Sequence, residues 1–556
     1  MCPPLHITGT LHTKKSAYPH PTAMRTNTFF PYLLFAAITL TSFCLTACSD
    51  DDDEIISKTE LEETYSDSSD DDDDSSDSDD EETATVTEET YYVTYFANYV
   101  MSIYYYWLDE ISDKIDEVLN PNTCTDPISA VEEIRYSDST TGIVDSWTQL
   151  TDDYESFTSS VDGVETTYGL LCMRGAFSNS DSYFYIVCAV YKDSPAEEAG
   201  IKRGDFIIGL NGEEITSSNY YDLYDSSSIT LNMATLSGNT LSANGTSYTL
   251  TAISMYEDPV LYYTIYDVGS KKVGYIVYDS FDLTSVSTLI EISKEFKAEG
   301  VTELILDLRY NGGGYVLTEQ VMASMYAPEA NVKAKDVLEM EIYNSYLTEV
   351  YDSYYNSSDW NKTYFQTSWN YTTSNSGIDF QHDTSDANIG LDKVYGLVTG
   401  NSASASEALL TVLMPYMDVE LVGETSYGKY CSGYIMEPSD VFSRYPSVLD
   451  NWGIYVMVSI YQNANGETPC MPNGMEPDIY AEEDLPFVDW GDESDPLLRA
   501  ALESAGKTYS TSSAAKRTYP EVSFKRDDLR RRATTGKRIL PPVQVPEMSE
   551  LSVTQE

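Results

Sequence analysis

Histidine is nearly absent from this chain. There are four in 556 residues, and His6, His12 and His20 precede a stretch that reads as an export signal. A Ser-His-Asp triad would depend on His382 alone, inside a polar Tyr- and Asn-rich segment, and no G-x-S-x-G turn occurs. Positive charge is also scarce. Thirty-two Lys and Arg stand against 91 Asp and Glu, a net charge of −59, which excludes a nucleic-acid binder on electrostatic grounds. Asp50 to Glu89 alone holds 21 of the acidic residues, yet no run fits D-x-[DN]-x-[DN]-G-x5-E and no Cys/His spacing fits zinc. Neither a metal nor a cofactor is expected. Beyond the export signal the cysteines are Cys48, Cys124, Cys172, Cys188, Cys431 and Cys470, and Cys172 and Cys188 could bridge adjacent strands.

The informative stretch is Gly400 to Gly433. An apolar β-like run, Val394 to Val398, leads into the small-residue turn S-A-S-A-S, and helical spacing of apolar residues follows over Glu407 to Met417. A serine at a strand-to-helix turn presents its hydroxyl beside the unsatisfied N–H groups of the helix start, where an oxyanion can be held. A second β-like run, Val419 to Val422, ends in a glycine-bounded turn carrying Lys429, whose nearest acidic neighbour in sequence is Glu424. With histidine unavailable, a buried lysine kept neutral is the base such a serine would use.

S-A-S-A-S-E followed by G-x-x-x-Y-G-K resembles the C-terminal processing (tail-specific) serine peptidases of family S41. In that family the nucleophile lies 25 positions before the lysine, which selects Ser404 for Lys429 and leaves Ser402 and Ser406 structural, Ser406 as a helix N-cap. Asp307-Leu308-Arg309-Tyr310-Asn311-Gly312-Gly313-Gly314 matches the family's D-L-R-x-N-x-G-G. The resemblance implies oxyanion donors at the N–H groups of Gly313 and Ala405. Asp307 and Arg309 could be read as catalytic, but charged side chains near a buried strand end are usually paired, so an ion pair shaping the glycine turn is expected. The resemblance also implies an α/β multidomain fold with a crotonase/ClpP-like core. One departure stands out: the family's glutamine four residues after the lysine is replaced by Gly433, so Ser426, Ser432 or a backbone carbonyl would have to hold the amine.

The chain divides by composition. Residues 1–48 read as a signal peptide, its apolar core Phe29 to Phe43 ending in L-T-A-C, which resembles a bacterial lipobox with Cys48 lipidated. Residues 49–88 read as an acidic tether with nothing to bury, of the kind that looks like a surface-export tag in Bacteroidetes-type lipoproteins. The bacterial cell envelope, with attachment to the outer membrane, is therefore the expected location. Residues 89–165 read as a helical domain, with apolar and aromatic residues at helical spacing over Tyr91 to Val118. Residues 166–256 resemble a PDZ domain through Ser194 to Gly212 (P-A-x-x-A-G-I-x-x-G-D-x-I-x-x-x-N-G), with Gly169-Leu170-Leu171 as the carboxylate-binding loop. Residues 257–503 form the peptidase core, in which polar residues 326–390 suggest a lid or surface insertion and Gly474 to Asp478 a structural closing motif. Residues 504–556 read as a flexible basic tail able to fold back on acidic surface.

The expectation is a lipid-anchored Ser–Lys endopeptidase that takes polypeptides with free C-termini. A catalytically weak or inactive peptide-binding lipoprotein on the same fold is the alternative, motivated by Gly433. A surface glycan-binding protein rests only on the 47 tyrosines.

Overall fold

Helix Glu88–Tyr104 forms because Thr87 caps it, accepting from Thr90 N–H at 3.1 Å, and because its apolar side chains recur every three or four residues. Val93, Phe96, Val100, Met101 and Tyr104 are buried, and Leu108–Val118 packs beside them. The computed structural model describes residues 85–177, 181–238, 240–355, 357–372, 379–442, 444–509 and 537–540. The export signal, Cys48 and nearly all of the acidic tether lie outside them.

The PDZ region is a six-stranded antiparallel sheet, ordered Thr240–Thr251, Ser228–Ser237, Phe206–Leu210, Glu213–Thr216, Ser182–Val190 and Leu170–Ala176. Short helix Pro195–Ala199 is capped by Ser194 and ends at Gly200 in the left-handed conformation, as the P-A-x-x-A-G pattern requires. Cys172 and Cys188 are not joined by a disulfide: a bulge after Leu171 puts them in apolar clusters on opposite sides of the sheet.

The core is built on a second six-stranded sheet: Val260–Val268, Lys271–Tyr278, Val301–Asp307, Lys393–Val398, Asp418–Gly423 and Ile479–Tyr480. Every pairing after the first is parallel, with helices such as Val286–Glu299 crossing between strands, so near-continuous apolar runs are buried. A further sheet runs Gly313–Tyr315, Lys537–Ile539, Cys431–Met436, Gly453–Asn463, Val337–Tyr343, Lys362–Tyr364, with Gln149–Thr151 joined to Gly453–Asn463.

Two expectations change here. The polar segment after residue 326 is not purely a surface insertion, because Val337–Tyr343 pairs with Gly453–Asn463 inside this sheet. Within that strand Glu341 is buried, accepting from Ser432 and Ser459 hydroxyls. The tail is not free throughout either: Lys537–Ile539 is a strand, and Ile539 and Leu540 are buried.

Candidate active site

Three adjacent parallel strands, Val301–Asp307, Lys393–Val398 and Asp418–Gly423, end on the same side of the sheet. The D-L-R-Y-N-G-G-G loop, the Ser404 turn and the Lys429 turn leave these three C-terminal ends, where open α/β sheets place their ligand crevices. Parallel pairing thus gathers segments more than 100 residues apart in sequence.

Ser404 is the N-cap of helix Ala405–Leu413 and is fully buried, with φ 63° and ψ −113°. A non-glycine residue in such a conformation costs about 1–3 kcal/mol and persists only where its surroundings enforce it. Here Ala403 N–H donates to Asn311 O at 3.0 Å, and Ser406 Oγ donates to Asn311 O at 2.9 Å. Ser402 Oγ donates to Leu308 O at 2.7 Å. Ser402 and Ser406 are thus structural, but Ser406 lies inside the helix rather than at its N-cap. Among the described residues Ser404 Oγ has no hydrogen-bond partner.

Glu407, one turn into the helix and fully buried, organises the rest. Its Oε2 accepts from Ser404 N–H and from Lys429 N–H, both at 2.9 Å, while Oε1 accepts from Gly428 N–H at 2.7 Å and Ser426 Oγ at 2.5 Å. Burial pushes its carboxyl up to about 7 against the opposing pull of these four donors. The Lys429 turn is braced from behind by the Gly474–Asp478 motif, where Ser426 N–H donates to Met475 O and Met475 N–H donates to Ser426 Oγ.

Lys429 is fully buried, and its Nζ donates to Cys431 O at 3.0 Å and lies 3.2 Å from Met457 Sδ and 3.3 Å from Tyr455 Oη. The Trp147 ring stands 4.8 Å from Nζ. All these neighbours are uncharged. The groups holding the amine therefore include a carbonyl, as expected, together with Tyr455 and Met457, which the sequence reading missed. Ser426 is engaged by Glu407 and Ser432 by Glu341. Gly433 is required by the same arrangement, since a Cβ there would lie 2.5 Å from both Met457 Cε and Tyr455 Cε2. The space a glutamine would need is filled by the tyrosine and methionine. The structure thus brings the Ser404 and Lys429 turns together but forms no hydrogen bond to Ser404 Oγ.

The oxyanion assignments fare unequally. Ala405 is the first residue of its helix, where the main-chain N–H has no intrahelical acceptor. Gly313 N–H, expected to be open, donates instead to Asn311 Oδ1 at 2.9 Å, because Asn311 Nδ2 is anchored on Tyr278 O and turns the carboxamide oxygen toward the glycine. The expected Asp307–Arg309 ion pair is present, Arg309 Nη2 to Asp307 Oδ2 at 2.7 Å. Arg309 also pairs with Asp495 and Glu483, and Glu483 pairs with Arg203 of the PDZ region. Burial works against an ionised Glu483, but the two guanidiniums outweigh it and hold its carboxyl below the usual range. His382 sits opposite Trp369 in a separate two-stranded sheet, its ring 4.5 Å from Phe380, and is no partner for Ser404. Burial drives the Cys431 thiol up to about 12, which leaves it unsuited as a nucleophile.

In the PDZ region Gly169 adopts φ 77°, and a Cβ there would lie 2.1 Å from Ser194 Cβ, so only glycine fits the turn. Leu170 and Leu171 begin the strand at the end of that sheet's order, which leaves one strand edge available for addition of a peptide.

Residues 272–481 match the family profile Peptidase family S41, and residues 186–224 match that of a PDZ domain. The carboxy-terminal processing protease CtpA of Bacillus subtilis (strain 168) is 23% identical over 314 residues, covering 55% of each chain. CtpB of the same strain is 26% identical over 252 residues, covering 44% of each. The chain therefore spans about half the length of these relatives. A crystal structure of a candidate S41 protease from Bacteroides fragilis NCTC 9343 shares the fold at TM-score 0.55 and 23% identity, covering 74% of this chain and 96% of that one. The chain is thus similar to a PDZ domain over residues 186–224 and to peptidase family S41 over residues 272–481, and the curated proteins it resembles are named carboxy-terminal processing proteases.

Proposed function

We propose that this chain is a serine endopeptidase working through Ser404 and Lys429 on polypeptides delivered by their C-termini. The observation that carries the reading is the shared carboxylate: Glu407 Oε2 holds Ser404 in its strained turn and fixes the Lys429 main chain against it. Lys429 Nζ, swinging from Cys431 O, takes the Ser404 proton as Oγ attacks a peptide carbonyl carbon. Ala405 N–H receives the oxyanion, and Gly313 N–H joins it once the Asn311 carboxamide turns away, each donor contributing about 3 kcal/mol to the barrier reduction. Nζ then protonates the departing amine, and water hydrolyses the acyl-enzyme. The edge strand Leu170–Ala176 takes up the substrate C-terminus by strand addition. Attachment to the cell envelope through lipidated Cys48 completes the reading, checked by the mass of the mature N-terminus.

The test is digestion of a disordered protein by the full chain, with products read by mass spectrometry. Ser404→Ala and Lys429→Ala should each abolish cleavage with the fold unchanged, and cleavage by Lys429→Ala at the parent rate would exclude the mechanism. A second reading, a non-catalytic peptide-binding protein, is favoured by one observation, the unpartnered Ser404 Oγ. A serine-directed covalent probe separates the two, since only an activated serine is labelled.

A further inference from the structure

The C-terminal segment occupies a place in the fold where a separate polypeptide would be expected. Gly313–Tyr315 and Cys431–Met436 are not paired with one another; Lys537–Ile539 lies between them and is parallel to both. Gly313 faces Lys537, Gly314 faces Arg538, and Tyr315 and Gly433 both face Ile539. Leu540 N–H donates to Gly433 O at 3.0 Å. Both walls belong to the candidate site: one continues the D-L-R-Y-N-G-G-G loop and the other begins two residues after Lys429. Without the tail, two strand edges would face each other across a slot about 9–10 Å wide, twice the ordinary strand spacing. Such a slot accepts one extended chain by main-chain hydrogen bonding on both sides.

The occupant is held by more than its backbone. Ile539 is 3% exposed and Leu540 7%, so two adjacent aliphatic side chains are buried. Burying one such side chain contributes roughly 1.5–3 kcal/mol. The segment also follows a run of Lys and Arg in a chain of net charge −59, so long-range attraction favours its return to the body.

We propose that this slot is the peptide-binding site for extended segments bearing two consecutive large aliphatic residues, and that residues 537–540 fill it in cis as a self-inhibitory strand. The inference rests on the peptidase reading for its consequence, slower cleavage, but not for the binding itself.

The test uses the full chain in a Ser404→Ala background and a fluorescein-labelled synthetic peptide of residues 534–543. The double variant Ile539→Asp, Leu540→Asp empties the slot. It should bind the peptide at least about tenfold more tightly than the protein with its tail unaltered does, a difference of about 1.4 kcal/mol. A peptide carrying the same two aspartates should bind neither protein. Equal binding by both proteins, or none by a double variant that melts like its parent, overturns the proposal. Should the double variant misfold, amide hydrogen exchange on the unaltered protein decides. Exchange at residues 538–540 should be slow and accelerate when excess unlabelled peptide is added; exchange at the rate of an unstructured peptide would overturn the proposal. With Ser404 restored, the double variant should digest a disordered protein faster than the parent. Binding without digestion in either protein leaves the slot assigned and removes the peptidase reading instead.

Discussion

Ser404 and Lys429, 25 positions apart in sequence, are joined through a single atom: Glu407 Oε2 accepts the main-chain N–H of each at 2.9 Å. Replacing Glu407 with Gln puts an amide NH2 against two of the four donors that now converge there. An unsatisfied buried donor costs about 1–3 kcal/mol, so Glu407→Gln should lower kcat/KM by about tenfold or more on a disordered substrate. The pH dependence follows from the carboxyl being raised to about 7. A folded-state value above the ordinary one gives a stability contribution that is complete below the usual glutamate range and is lost as pH rises through about 7. Thermal melts of the parent should fall between pH 5 and pH 8 by more than those of Glu407→Gln. A parallel fall in both would dissociate Glu407 from the effect.

The backbone of Ser404 leads to a separate expectation. At φ 63° and ψ −113° the serine backbone is strained, and its buried hydroxyl has no partner among the described residues. Glycine tolerates this conformation without strain. Ser404→Gly should therefore raise stability by about 1 kcal/mol or more in chemical denaturation while abolishing cleavage. Ser404→Ala keeps the Cβ and should not gain as much. Equal stabilities for the two variants would show that the turn stores no strain.

Much of this site is legible in the sequence because its elements are local. The strand-turn-helix pattern around Ser404, the glycine-bounded Lys429 turn and the Asp307–Arg309 pair each sit within a few residues of their own punctuation. Glu407 was not singled out, because the cap was assigned to Ser406; with Ser404 as the cap, an acidic residue three positions later is half of a capping box, and its reach back to Ser404 N–H is that contact. What it adds to the Lys429 turn needed the third dimension. Tyr455 and Met457 could not be found from sequence, since they alternate along the buried strand Gly453–Asn463 and look like ordinary core residues. Ile539 and Leu540 were equally opaque, two apolar residues in a basic, Pro-rich stretch whose pairing partners lie 100 or more residues away. Glu341 drew no expectation from the sequence, and the fold buries it against serines.

Tyr455 and Met457 stand where the family's glutamine would be, and the consequence is measurable. Tyr455→Phe removes one hydroxyl beside Lys429 Nζ, at 3.3 Å, without changing the packing. A hydrogen bond of this kind contributes about 1 kcal/mol, so kcat should fall about five-fold with KM little changed. Gly433→Gln should not set a glutamine beside the Lys429 amine, because its Cβ would meet Met457 and Tyr455 at 2.5 Å. It should destabilise the protein by about 1–3 kcal/mol through overpacking. A stable, more active Gly433→Gln enzyme would show that the tyrosine and methionine do not occupy that role.

The PDZ region and the glycine loop are joined by charge, and acid should uncouple them. Arg203 Nη2 and Arg309 Nη1 each lie 3.0 Å from Glu483 Oε1, and all three side chains are buried. The Arg203 guanidinium is stacked on Trp490, 3.6 Å from the ring centroid, so neither arginine can turn out to water without losing packing. Removing one member of a buried ionic group strands the others and costs about 3–5 kcal/mol, which is the loss expected for Glu483→Ala. The pH behaviour is opposite in sign to that of Glu407. The two guanidiniums outweigh the burial that opposes ionisation, holding the Glu483 carboxyl below its ordinary value, and Asp495 is likewise held down with Arg309 as the main opposing charge. A depressed carboxyl contributes stability that is present above the usual range and is lost as pH falls through the folded-state value. Denaturation followed from pH 6 down to pH 3 should show the parent losing more stability than Glu483→Gln. If hydrogen exchange in Phe206–Leu210 and in the 307–314 loop then rises together in Glu483→Gln, the carboxylate is the link that keeps the PDZ region in register with the candidate catalytic turn. Exchange that rises on one side only would mean that apolar packing, not this ion cluster, holds the two together.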